Sequence, residues 1–249
     1  MKKTFALMAT LFALTLTACG GGGGSDSPVT VNSPTDGGNP VVNPNQQLDY
    51  DYYIFKDSLP LDYEEDKQAS NYPQNRLNIM NLDGRNIEIV PPNVSGSVIE
   101  TYEGSTGIRR TVGGNLSYAR YGVISYEKEK KDYSFYQGIP SSSIPKSGTA
   151  TYKGGAVAFR PSDRVVSKGT SSFEVDFKVK TVKGEIDTEK FGKVTLNGGI
   201  KEDWGGFGGG TFQGAFYGDN AAEMAGEFTR HDTSNPKNDI YGTFGAKKQ

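Results

Sequence analysis

His231 is the only histidine of the chain and Cys19 its only cysteine, so most site chemistries would have to run through one or the other. A Ser–His–Asp triad would need His231, yet no Gly-x-Ser-x-Gly elbow accompanies it. His231 precedes Asp232 and the turn sequence Thr233-Ser234-Asn235-Pro236, which places it in a loop. A zinc centre wants several Cys or His ligands, more than the sequence can supply. Carboxylates are plentiful, but neither an Asp-x-Asp-x-Asp-Gly calcium loop nor a phosphate loop occurs. These residues assemble no persuasive catalytic set. No cofactor is required by the sequence, though haem is possible. Haem would take an axial His, Met, Tyr or Cys, and His231, Tyr118, Tyr121, Tyr126, Tyr133 and Tyr136 are available. The same tyrosines also suit packing on half-buried strands, and both uses are open.

Aromatic clusters are a second lead. Tyr50, Tyr52, Tyr53 and Phe55 sit among acidic residues, and Trp204 and Phe207 border or occupy the glycine-rich run 205–210. Tyr and Trp are common anchors of protein interfaces, and loops on β scaffolds carry function. The alternative is internal packing, with Tyr52 and Phe55 on their own sheet and Trp204 as a plug. The candidate ligand-binding residues are therefore Tyr52, Phe55, Tyr118, Tyr121, Trp204, Phe207 and His231.

Cys19 has a different chemistry. Lys2 and Lys3 precede an apolar run from Phe5 to Leu16, shorter than the roughly 20 residues a membrane-spanning helix needs. This is the pattern of a secretory signal peptide, and Leu16-Thr17-Ala18-Cys19 reads as a lipobox. The expectation is cleavage after residue 18 and acylation of Cys19. One acyl chain binds a membrane only marginally, whereas several hold it lastingly. Gly20 rather than aspartate after the cysteine favours the outer membrane. Acylation leaves no thiol for disulfides or redox work. Loss of Lys2 and Lys3 leaves 25 of the 27 basic residues against 29 acidic ones, which argues against nucleic acid as a partner.

The elements that must hold these residues are strands. Residues 19–47 are a Gly/Ser/Pro/Asn tether with few apolar residues, too polar to fold and able to span about 30 Å. From residue 48 onward no long 3.6-residue pattern appears, and alternation recurs at 116–126, 173–179, 194–200, 211–217, 225–230 and 240–245. Residues 173–179 alternate apolar and charged side chains without a slip, so one face should be buried and the other wet. Glu127–Lys131 reads as a hairpin tip, and 141–147 as a linker. The domains expected are a β-rich subdomain over 48–146 and a second over 147–249, long enough for a small closed barrel. Gly214 and Gly226 fit bends within strands, and 205–210 a loop.

Several segments together carry a family resemblance: 148–159 (Gly148 to Phe159), 172–177, 194–200, 210–228 and 240–247. The phrase Phe216-Tyr-Gly…Ala-Ala-Glu-Met-Ala-Gly-Glu-Phe228 followed by Tyr241-Gly-Thr-Phe-Gly-Ala-Lys247 is the most specific. They resemble the C-terminal barrel of transferrin-binding protein B-like surface lipoproteins, a group that includes factor H-binding protein and hemophilin-like relatives. The resemblance covers residues 115–249 well, and 48–114 only by position. It implies an all-β fold: an eight-stranded antiparallel barrel behind a smaller β-rich handle. It also implies display on the cell surface, with the help of a surface lipoprotein assembly modulator, and capture of a ligand. Three functions follow: binding a host macromolecule such as an iron or haem carrier or a complement regulator, binding haem directly, or a structural role in the envelope facing the periplasm.

Overall fold

The computed structural model describes residues 77–202 and 205–249, together with the backbone of 49–56 and 59–60. The stretches read as a signal peptide over 1–18 and a tether over 19–47, with Cys19, and also Trp204 lie outside the described residues. The described chain is all β apart from one 3-10 turn at Pro236–Asn238.

The first sheet is antiparallel throughout. It comprises β1 (Asp49–Lys56), β2 (Leu59–Pro60), β5 (Ile99–Glu103), β6 (Ile108–Gly113), β7 (Ala119–Tyr126) and β8 (Lys131–Gly138), in the order β2-β1-β8-β7-β6-β5. A separate hairpin, β3 (Ile79–Leu82) and β4 (Arg85–Glu88), turns at Asp83-Gly84. Both turn residues have positive φ, 52° and 78°, the geometry that matches strand twist in a two-residue hairpin.

Strands β7 and β8 are buried along almost their whole length, because each face meets a different partner. Side chains alternate across a strand. Ile124, Tyr126, Tyr133 and Phe135 therefore face the hairpin residues Met80, Leu82, Ile87 and Ile89. Ala119, Tyr121, Val123 and Tyr136 face the other way, onto the strands that follow residue 148.

That second body is a closed barrel. Its eight strands are β9 (Thr149–Arg160), β10 (Val165–Asp176), β11 (Thr181–Thr188), β12 (Gly192–Lys201), β13 (Gly206–Gly209), β14 (Phe212–Tyr217), β15 (Glu223–Arg230) and β16 (Ile240–Lys248). Each pairs antiparallel with the next, and β16 closes on β9. Phe173, Phe207, Phe212, Phe216, Phe228 and Phe244 fill the interior with Tyr152, Leu196 and Met224. A barrel of this size is wide enough for side chains alone.

Two local expectations differ from the structure. Residues 206–209 are strand β13, not loop, and Phe207 is fully buried, its ring centroid 5.0 Å from that of Phe216. A Cβ at Gly209 would meet the Asn197 carbonyl and then the Phe212 ring, whereas Gly205 and Gly210 face open space. Gly214 and Gly226 face each other across β14 and β15. A side chain at Gly214 would collide with Phe207, and one at Gly226 with Phe244. The carbonyls of Ala225 and Gln213 lie closer still, so these glycines admit the backbone of the facing strand as well as those rings. The alternating run at 173–179 leaves its strand after Asp176, and Val179 is exposed in the following turn.

Candidate functional site

The seven sequence candidates do not converge. Tyr52 and Phe55 lie on β1, opposite Phe135 and Asp132 of β8. Trp204 lies outside the described residues, and Phe207 is in the barrel core.

Tyr118 and Tyr121 sit at the seam between the first sheet and the barrel. Tyr121 lies over Gly113 of its own sheet and over Gly155 and Gly245, which are partners on two adjacent barrel strands. Any of the three glycines given a side chain would overlap the tyrosine. The buried hydroxyl donates to the Ser97 carbonyl at 2.7 Å, and burial raises its pKa. Tyr118 packs on Gly218 of the barrel, while Tyr217 of the barrel packs on Gly138 of the sheet. The seam is thus two-way: each body inserts a tyrosine over a glycine of the other.

Charged groups complete it. Glu223, 1% exposed, accepts from the backbone N–H groups of Ser117 at 2.7 Å and Tyr118 at 2.8 Å. Burial raises its pKa despite those donors and Arg120. Arg120 is itself buried, pushed down to about 10 by desolvation against the pull of Glu223. Its guanidinium donates to Asn78 Oδ1 at 2.6 Å and to the carbonyls of Ala119 and Leu116. At the far end of the seam Arg164, in the β9–β10 turn, grips Asp132 of β8 with two bonds of 2.7 and 2.9 Å. A two-pronged pair of this kind fixes orientation as well as distance.

His231 belongs to a different place, the barrel rim where β9 and β15 end. Its Nδ1 lies 2.8 Å from Asp239 Oδ2, while Asp239 Oδ1 accepts from the Asp232 N–H. Asp232 organises the loop: it accepts from Ser234 N–H and Oγ, Asn235 N–H and Asn238 Nδ2. These bonds hold its carboxyl well below the usual range. Arg160 and Arg230 meet on Phe191. The Arg160 guanidinium sits 5.1 Å from the ring centroid, and Arg230 Nη1 donates to the Phe191 carbonyl at 2.7 Å. Arg160, Arg230, His231, Asp232, Thr233 and Asn238 line an open cleft of about 530 Å³. Its polar walls suit hydrogen bonding and do not offer the apolar faces a porphyrin needs.

Arg160 and Arg230 were missed in the sequence, as were Glu223, Arg164 and Asp132. The two rim arginines each end an apolar strand, and that position was the one local signal. The seam ions come from positions 32 or more residues apart along the chain.

Comparison with known proteins follows the same division. Residues 144–248 match the family described as C-lobe and N-lobe beta barrels of Tf-binding protein B. An uncharacterized protein of Haemophilus influenzae is 25% identical over a 291-residue alignment covering 97% of each chain. The Neisserial heparin binding antigen of Neisseria meningitidis serogroup B is 31% identical over 150 residues, 55% of this chain and 30% of that one. A solved variant of transferrin binding protein B from Haemophilus parasuis shares the fold, with a TM-score of 0.58 and 19% identity over 81% of this chain and 45% of that one. This chain therefore spans nearly the whole Haemophilus influenzae relative but less than half of the other two. The barrel, residues 144–248, is thus similar to the lobe barrels of transferrin-binding protein B.

Proposed function

We propose that this protein is a lipid-anchored protein of the outer membrane, displayed on the cell surface, that captures a host macromolecule. The family match of the barrel carries this reading. Two similar proteins are named for the heparin and the transferrin they bind. The packing agrees with external binding. The barrel interior is occupied by phenylalanines, so a ligand meets rims, loops and sheet faces rather than a central cavity. Anchoring through acylated Cys19, and export with a surface lipoprotein assembly modulator, belong to the same reading.

The test has two arms on the full chain. Protease added to intact cells should digest it, and the purified lipidated protein should recover a serum component that a lipidated control domain does not. Full protection in intact cells together with an empty pull-down would overturn the proposal and favour a periplasm-facing structural role.

A further inference from the structure

The cleft at the barrel rim has a one-sided hydrogen-bonding balance. Asp232 Oδ1 accepts three bonds from Ser234 and Asn235, and its Oδ2 accepts one from Asn238. Both oxygens of Asp239 are engaged by His231 and the Asp232 N–H. Asp163 is held by Arg160 through Nε and Nη2 at 3.0 and 2.7 Å. The carboxylates around the cleft are therefore already satisfied. The donors are not: Arg230 uses only Nη1, on the Phe191 carbonyl. Among the described residues its Nε and Nη2 have no acceptor, nor does Arg160 Nη1. A half-buried guanidinium with unused N–H groups in a concave site is a receptor for an oxyanion.

The cleft is larger than an inorganic anion requires. Its roughly 530 Å³ lies in the range of small-molecule sites, and the rest of its wall is Thr233, Asn238, His231 and Asp232, whose carboxylate is taken up by Ser234, Asn235 and Asn238. Such groups match the hydroxyls of a sugar.

We infer that the Arg160–Arg230–His231 cleft binds a single acidic sugar, its carboxylate or sulfate on the free guanidinium edges and its hydroxyls on Thr233 and Asn238. This rests on the reading of the protein as a binder of host macromolecules and gives it a chemical handle, the terminal acidic sugar of a glycan. The loop is prepared for this role. Asp232 and Asp239 fix the loop from within, so little ordering entropy is lost on binding.

The experiment is a titration of the full chain in detergent with N-acetylneuraminic acid, N-acetylglucosamine 6-sulfate and neutral N-acetylglucosamine, followed by amide chemical shifts. Saturable shifts confined to residues 160–164, 190–192 and 230–240 are expected for an acidic sugar and not for the neutral one. Which acid binds distinguishes carboxylate from sulfate recognition. Arg230→Gln should weaken the response about tenfold or more, Arg230→Lys less, and Thr233→Val only severalfold. Arg230 also supports Phe191, so the thermal melt of each variant is compared. Should Arg230→Gln fail to fold, Arg160→Gln and Thr233→Val carry the test. Equal shifts with the neutral sugar, shifts from the acids elsewhere on the molecule, or no shift with either acid would overturn the inference. None of these results would alter the serum pull-down, which tests the broader reading separately.

Discussion

The barrel has two walls built on different rules. The wall formed by β11, β12 and the second half of β10 alternates strictly: Phe173, Val175, Val182, Ile186 and Leu196 point inward, and Glu174, Lys183, Glu185 and Asp187 point to water. The wall formed by β9, β14, β15 and β16 is buried on both sides. Ala156, Phe216, Phe228 and Phe244 face the core, while Val157, Phe159, Ala215, Tyr217 and Ala225 face the neighbouring sheet. The covered wall is rich in glycine and alanine because a sheet can approach, and tyrosines can enter, only where side chains are small. Burial on two faces, rather than strand propensity, sets this composition.

The contrast can be broken most sharply at Tyr121. Tyr121→Ala empties the glycine slot and should cost about 3–5 kcal/mol, in the range of large aromatic truncations. Calorimetry should then show the first sheet melting before the barrel, where the intact chain melts once. Arg164→Ala comes next. It leaves Asp132, 2% exposed, without its two-pronged partner, and should cost about 3 kcal/mol by urea unfolding. Gly245→Ala places a methyl group against Tyr121 and Leu116 and should cost about 1–3 kcal/mol. On the open wall, Lys183→Ala should stay within about 0.5 kcal/mol, and an equal loss there would erase the distinction between the walls.

Glu223 sharpens the comparison through pH. Its folded pKa is raised by burial, so the folded state holds this proton more tightly than the unfolded chain does. Its contribution is fully present below the ordinary glutamate pKa and is lost as pH rises through the raised folded value. Glu223→Gln should flatten that part of the stability profile above pH 4. A profile with unchanged slope would mean that Ser117, Tyr118 and Arg120 compensate the charge completely.

Strands of both walls were legible in the sequence, with 211–217, 225–230 and 240–245 on the covered wall, but the sheet that covers that wall was not. The run from Phe173 to Phe177 shows its wet face as charges at Glu174 and Asp176. A strand buried twice has no charged face to mark its partner, so Gly154, Gly155, Gly242 and Gly245 carry no readable sign of what lies above them. The same blindness turned Phe207 into a loop residue. His231 was visible as the one histidine beside a turn. Arg160 and Arg230 were invisible as a pair because only the closing of β16 on β9 and the pairing of β15 with β16 bring their strand ends to one rim.

The tyrosine-over-glycine seam also bears on how relatives of this chain can diverge. Each glycine there is tied to a particular ring on another strand, so a change at one position is tolerated only with a matching change far away in the sequence. The charged positions of the open wall carry no such obligation and can drift one at a time. Any pressure to alter the exposed surface has a wall on which to act without loosening the fold.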